Sequence, residues 1–360
     1  MQWVLSWGRV LSLLVLLASC QAPEKKIVNP YEAPVKKTKE SLGLVPRGLD
    51  LGRAPEKIVF ACCGDSSQDQ PIWTAINNER PDLMISLGDH IKGPGEGAKP
   101  LAEQYKDLVK MSEYKRARET IPFLATWDDL DYGLPNSGAE NPMKEDARRA
   151  FWFHFPYIKD STLLDQPGIF HSKVLGGVRE GRGRRARTTP SVHVIMLDTR
   201  WNRIAPTDAK PTLLGNDQWE WLADQLREPA DFKILASSIQ ILPESHAFEK
   251  WSQYPTEKQK LLDMISSIKP KNLILISGDR KLAAISKIEL KGYGPLYEIT
   301  AGSFNLPQEL QEKDPAYLQD AYSKENFGLI QLNWSRKAAA VEIRNVEGKP
   351  IQTLEIKLKK

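Results

Sequence analysis

Four short apolar runs in this chain each stop abruptly on a polar cluster: Cys63-Gly64-Asp65, Gly88-Asp89-His90, Trp127-Asp128-Asp129 and Ser277-Gly278-Asp279-Arg280. Short apolar, β-branched runs separated by segments of helical periodicity are the pattern of buried strands crossed over by helices. In such α/β sheets the carboxyl ends of the strands meet loops, and ligands collect there. A single Gly-Asp says little, because aspartate is a common turn residue. Four strand ends carrying Asp or Cys constrain the chain far more.

The periodicity predicts strands over 57–63, 82–87, 121–126, 168–175, 192–197, 232–238 and 272–277. Helices are predicted over 71–80, 101–118, 144–155, 216–226 and 255–268. Beyond residue 280 the pattern becomes strand after strand, over 282–290, 296–301, 328–333, 338–345 and 351–358, with Glu347-Gly348 as the last turn. Helix-crossed strands followed by hairpins make mixed sheets covered by helices.

The leader sets the compartment. Arg9 precedes Val10, Leu11, Leu13, Leu14, Val15, Leu16 and Leu17, a run too short to span a bilayer but right for a signal-peptide core. It ends in Leu17-Ala18-Ser19-Cys20, which resembles a bacterial lipobox. Residues 1–19 are therefore expected to be removed and Cys20 lipidated. Residues 20–56 carry Pro23, Pro30, Pro34, Pro46 and Pro55 among lysines, and read as a tether to a head over 57–360. Gln21 rather than aspartate after the cysteine points to the outer membrane, facing the periplasm, rather than to the inner membrane.

A net charge of +4 excludes a polyanion binder by charge alone, and no nucleic-acid partner is expected. The basic loop Arg179 to Arg187 reads as a solvated hairpin, with contact to anionic lipid as the sharper alternative. Only three cysteines are present: Cys20 and the adjacent Cys62 and Cys63. Sequence neighbours seldom bridge, so a disulfide framework is excluded. The pair reads as small buried residues or as metal ligands.

Ten segments then occur in a familiar order: FACCGDSSQDQPIW, PDLMISLGDHIKG, FLATWDDLDYG, GIFHS, VIMLDTR, QWEWLADQL, ILASSIQIL, FEKW, ILISGDRKLAAIS and YEITAGS. Together they resemble the alkaline phosphatase D (PhoD-like) family of metallophosphoesterases from about Lys57 to Asn333. The resemblance implies a four-layer αββα sandwich of two mixed β-sheets flanked by helices. It implies hydrolysis of phosphate mono- and diesters at a dinuclear centre of iron and calcium, or other divalent metals. In this sequence it implies Cys63 as a thiolate ligand, Asp89 as the bridging carboxylate and Asp279 as a further carboxylate, with Asp129 close by. Two metals stabilise attacking and leaving oxygens together.

The departures from the family pattern carry the functional expectation. Lys92 stands at a tyrosine ligand position, Lys281 and Leu130 at histidine positions, and Pro135 at an asparagine position with Asn136 adjacent. Ala284 stands where relatives have glutamate. A protonated lysine offers donors and no lone pair. At ~5 Å from a dication and effective dielectric ~20 it costs roughly 6–7 kcal/mol. The expectation is an eroded centre in which Lys92 and Lys281 replace the cations by salt bridges. Lys92, Arg280 and Lys281 would then meet phosphate oxygens. Such a protein would bind a phosphate ester or an envelope component and turn over weakly or not at all. An active hydrolase with altered coordination on Cys63, Asp89 and Asp279 is the competing reading. Asp65, Asp128 and Asp131 read as turn or cap residues, and His90 as hydrogen-bonded rather than ligating. His154, His171 and His246 read as structural, and Trp73, Trp127, Trp219 and Trp251 as core.

Overall fold

Alternation along the first strand divides the core into layers. In β1 (Lys57–Ala61), Ile58 and Phe60 enter the apolar layer between two sheets, whereas Val59 and Ala61 pack beneath helices. The computed structural model describes residues 43–93, 98–156, 166–181, 187–308 and 311–359.

The first sheet joins β1 to β2 (Leu83–Ser86) and β3 (Phe123–Ala125) in parallel. On the other side β1 pairs antiparallel with β12 (Asn326–Asn333), which continues through β13 (Ala338–Asn345) to β14 (Pro350–Lys357). The second sheet runs β10 (Ala284–Leu290), β11 (Gly294–Thr300), β9 (Leu273–Ser277), β8 (Phe232–Ser237), β7 (Ser191–Met196), β4 (His171–Gly176). Its four inner strands, β11, β9, β8 and β7, are parallel, and the edge strands β10 and β4 pair antiparallel.

The inward faces of both sheets form one core. Ile58, Phe60, Leu83 and Ile85 meet Val192, Val194, Ile234, Ile274 and Ile299 there. Helices α1 (Ile72–Glu79), α2 (Leu101–Lys110), α3 (Ser112–Thr120) and α5 (Lys144–His154) cover the outside of the first sheet, with the one-turn α4 (Asp129–Tyr132) between them in sequence. Helices α6 (Gly215–Arg227) and α7 (Pro255–Ile268) cover the second. The result is the αββα sandwich of two mixed sheets that the sequence implied.

Two expectations need correction. The helix predicted over 101–118 is two helices, broken at Met111, whose backbone is extended at ψ 117°. The buried stripe of α2 is Tyr105, Leu108 and Val109, and that of α3 is Tyr114, Ala117 and Arg118. Continuing the first stripe would bury 112, 115 and 116, so the phase jumps by two residues, about 200° of helix, and one straight helix cannot bury both. The tether also ends earlier than residue 56. Leu44 and Ala54 are buried, Arg47 N–H donates to Arg118 O at 2.7 Å, and Gly176 N–H donates to Leu51 O at 2.9 Å.

The expected signal peptide and Cys20 lie outside the described residues. No helix among the described residues is long and apolar enough to cross a membrane. Residues 182–186 of the basic loop are also outside them; its flanks, β5 (Arg179–Glu180) and β6 (Arg187–Thr188), form an exposed two-stranded ladder.

Candidate metal centre

Parallel pairing puts the carboxyl ends of β1, β2 and β3 along one edge, so Cys63, Asp89 and Asp128 leave the sheet side by side. The ends of β8 and β9 supply Ser238 and Asp279 from the other sheet. Side chains lace the edges together: Thr126 Oγ1 donates to Leu197 O at 2.7 Å, and Ser238 Oγ donates to Asp128 Oδ1 at 2.9 Å. One carboxylate oxygen each from Asp89, Asp128 and Asp279 lie within 4.8 Å of one another.

The backbone is bent to achieve this. Asp89 and Asp279 have φ of +51° and +61°, left-handed values that aspartate tolerates better than most residues and that gather at functional sites. Gly88, at φ +102°, cannot be replaced: a Cβ there would lie 2.6 Å from both Asp128 Cβ and Asp128 N.

The charges of this cluster are unequally compensated. Arg200, fully buried, donates from Nε to Asp128 Oδ1 at 2.6 Å and pairs with Glu249 Oε2 at 2.6 Å, and Arg203 closes on Glu249 Oε1 at 2.5 Å. Asp89 accepts only the long bond from Leu130 N–H at 3.3 Å, and neither it nor Asp279 forms an ion pair among the described residues. Burial, then Asp129, Asp128, Asp131 and Asp279, hold the Asp89 carboxyl well above the usual range. Burial also raises Asp128 strongly, against the opposing pull of Arg200, with Asp129 and Asp279 adding to the rise. Burial and the nearby Asp129 push Asp279 up to about 6. Each like-charge pair at this separation costs roughly 3–4 kcal/mol at an effective dielectric of ~20. Three ionised carboxylates therefore require a proton or a cation between them.

Asp128 Oδ2 is buried without any hydrogen-bond donor. An orphaned carboxylate oxygen beside two uncompensated ones is an oxygen-only donor set, the kind that hard divalent cations take. For one such cation the residues fit. A second cluster of this kind is not found among the described residues.

Several site expectations are corrected here. Lys92 is turned outward, its side chain 68% exposed and its amine 3.7 Å from Asp65, not among Asp89 and Asp279. Lys281 makes no ion pair with them among the described residues. Salt bridges to lysine thus do not stand in for the cations. Cys63 is joined by a disulfide to Cys62. The strand ends at Ala61 and Cys63 has φ +68°, so the alternation that would send adjacent side chains to opposite faces no longer holds. A disulfide sulfur is not a thiolate and does not ligate. Asp128 caps α4 as read and also joins the carboxylate trio, while Asp129, with Oδ2 accepting from Asn136 N–H at 2.7 Å, stays close enough for its charge to raise both Asp89 and Asp279. Arg280 is buried, paired with Glu312 and stacked at 4.1 Å on Phe248, so its guanidinium is not available to a ligand. Leu130 and exposed Pro135 offer no donor atoms, as expected.

Other readings stand. Asp65 accepts from Ser67 N–H and Oγ–H at 2.8 and 2.6 Å, a turn. Asp131 caps α4 by accepting from Asp128 N–H at 3.1 Å. Burial lowers His171 and His246 to about 4, keeping both neutral. His154 stacks on Tyr105 at 4.7 Å, and the four tryptophans are buried. Sequence reasoning missed Arg200 and Glu249 altogether; the VIMLDTR and FEKW segments hold them, but nothing in either segment shows that they meet at Asp128.

Residues 101–342, more than half of the chain and including Asp128 and Asp279, match the family described as PhoD-like phosphatase. The chain belongs to that family. Alkaline phosphatase D of Bacillus subtilis (strain 168) is 21% identical to this PhoD-like chain over 279 residues, covering 62% of the chain and 46% of that protein. The chain thus spans less than half of that relative's length. A solved structure of PhoD superposes with a TM-score of 0.62 at 16% identity, over 87% of this chain and 70% of that one. GAP50, described as the anchor in the inner membrane complex of Plasmodium, superposes with a TM-score of 0.55 at 16% identity, over 84% and 90%. At these identities the two structures establish the fold of the PhoD-like head, including its two sheets, and no more.

Proposed function

We propose that this PhoD-like protein carries a centre contracted to a single hard divalent cation, held by Asp89, Asp128 and Asp279, and serves to bind phosphate esters rather than to hydrolyse them quickly. The observation that carries this reading is the trio of carboxylate oxygens within 4.8 Å of one another, with Asp128 Oδ2 buried and unpaired. A cation held there supplies a Lewis-acidic centre for phosphate oxygens. Asp89 and Asp279 hold the charge that attracts it, Arg200 fixes the orientation of Asp128, and half-buried Lys281, two residues beyond Asp279, is the ammonium candidate for the same phosphate. The missing second donor set removes the pairwise stabilisation of attacking and leaving oxygens on which fast turnover depends.

Export and attachment to the cell envelope through lipidated Cys20 belong to the same proposal and are supported by the Leu17-Ala18-Ser19-Cys20 sequence. The test is elemental analysis of the purified head after growth with iron, calcium, manganese and zinc, followed by a phosphodiester assay. One divalent ion per chain, lost in Asp279→Asn, with turnover near background, is the expected result. Two tightly held ions and efficient turnover would establish the competing reading, an active hydrolase with altered coordination.

A further inference from the structure

Next to the carboxylate trio lies a buried chain of side chains that the proposed chemistry does not use. His90 Nε2 lies 2.6 Å from Ser86 Oγ, and His90 Nδ1 lies 3.1 Å from both carboxylate oxygens of Asp131. With a carboxylate facing Nδ1, the proton sits there, and Ser86 Oγ–H donates to Nε2. The order serine, histidine, aspartate matches a hydrolase relay, but the three are 1%, 3% and 0% exposed, so no substrate reaches the hydroxyl. A relay without access acts on the structure around it.

What it acts on is visible in the other bonds of Asp131. The same carboxylate accepts from His90 N–H at 3.1 Å, Tyr105 Oη–H at 2.8 Å and Asp128 N–H at 3.1 Å. His90 directly follows Asp89, whose backbone is left-handed, and Asp128 is the other carboxylate at this edge. One side chain therefore grips the backbone of both residues from behind, and α2 braces it through Tyr105. Ring packing of His90 against Phe155 at 4.9 Å fixes the imidazole plane.

We propose that Asp131 and His90 are positioning residues for the cation site: they lock the Asp89 turn and the Asp128 turn at the spacing a single cation needs. This rests on the one-cation reading above. Neither residue touches the cation; their effect runs through two backbones.

Terbium binding to the full chain, read by luminescence sensitised through neighbouring Trp127, tests it alongside thermal melting. His90→Asn keeps a donor near the Nδ1 position and is expected to bind terbium within about threefold of wild type. His90→Gln keeps a donor toward Ser86 only and, like Asp131→Ala, is expected to bind roughly 10- to 100-fold more weakly, the range seen when groups behind metal ligands are removed. Tyr105→Phe keeps the ring beside His90 and removes only the hydroxyl on Asp131, and is expected to lower the melting temperature while leaving affinity nearly intact. Should Asp131→Ala fail to fold, the contrast between His90→Asn and His90→Gln carries the test. Equal affinity in those two variants overturns the positioning role alone. Absence of terbium binding by the wild type overturns both this inference and the one-cation reading.

Discussion

Arg200 and Asp128 form the buried ion pair on which the two sheets meet: Nε donates to Oδ1 at 2.6 Å, and both side chains are fully buried. The same guanidinium extends to Glu249 at 2.6 Å, and Arg203 closes on the other oxygen of Glu249, so two guanidinium groups face two carboxylates. Removing one partner of such a pair leaves an uncompensated charge in the interior, which costs about 3–5 kcal/mol. Arg200→Met should lose that much stability in urea unfolding at pH 7.5. Added calcium should restore part of it, because Asp128 then has only the site cation to face. A loss under ~1 kcal/mol would show that the pair is dispensable.

Stability of the metal-free protein should fall as pH rises through the acid range. Asp279 titrates at about 6 in the folded chain, against an ordinary 3.8. Between those values the folded state holds more protons than the unfolded one, so each step up in pH favours unfolding. The shift corresponds to stabilisation on the order of 3 kcal/mol that is fully present below about pH 3.8 and is lost as pH rises through about 6. Asp89 and Asp128, also raised by burial, extend the decline upward. Melting in chelator from pH 4 to pH 8 checks it: wild type should descend, Asp279→Asn should descend less, and a divalent cation should stabilise more at pH 8 than at pH 5.

The two lysines should separate cleanly. Lys92 is exposed and among the described residues pairs only with Asp65, so Lys92→Ala should change stability by less than ~1 kcal/mol and leave cation binding unaltered. Lys281→Met should leave cation affinity intact and weaken inorganic phosphate binding by roughly tenfold, the worth of one charge-assisted hydrogen bond. Isothermal titration with calcium and then with phosphate distinguishes them. Equal effects of the two substitutions on phosphate would place Lys281 outside the site.

Much of this architecture was legible because burial writes itself into the chain. Ile58 and Phe60 against Val59 and Ala61 give the strand and both of its faces, and Pro255 marks the start of α7 at its first residue. The break at Met111 was legible only as a phase jump, visible once the two buried stripes are compared. The site was legible as positions but not as directions. Lys92 occupies the expected place in sequence, yet the side chain leaves the turn toward Asp65. Of two adjacent aspartates, Asp128 joins the cluster and Asp129 turns to Asn136, a choice made by Arg200 and Ser238, both more than seventy residues away in the chain. The rule that sequence neighbours seldom bridge failed at Cys62 and Cys63, which lie beyond the end of β1 at Ala61.

Restoring the lost donors tests whether contraction of the centre has the cause argued here. The donors a second cation lacks include an oxygen donor at position 92, a nitrogen donor at position 281, and a thiolate at Cys63, which is tied up with Cys62. Lys92→Tyr with Lys281→His supplies the first two and removes two ammonium charges. Under reducing conditions, with the thiolate freed, the double variant should hold two divalent ions per chain where wild type holds one, and phosphodiester turnover should rise with the second. Kept oxidised, the same variant should remain at one, since a disulfide sulfur cannot serve as ligand. Elemental analysis of the four samples, wild type and variant in each redox state, reads this directly. A second ion taken up by oxidised wild type would show that the centre never contracted.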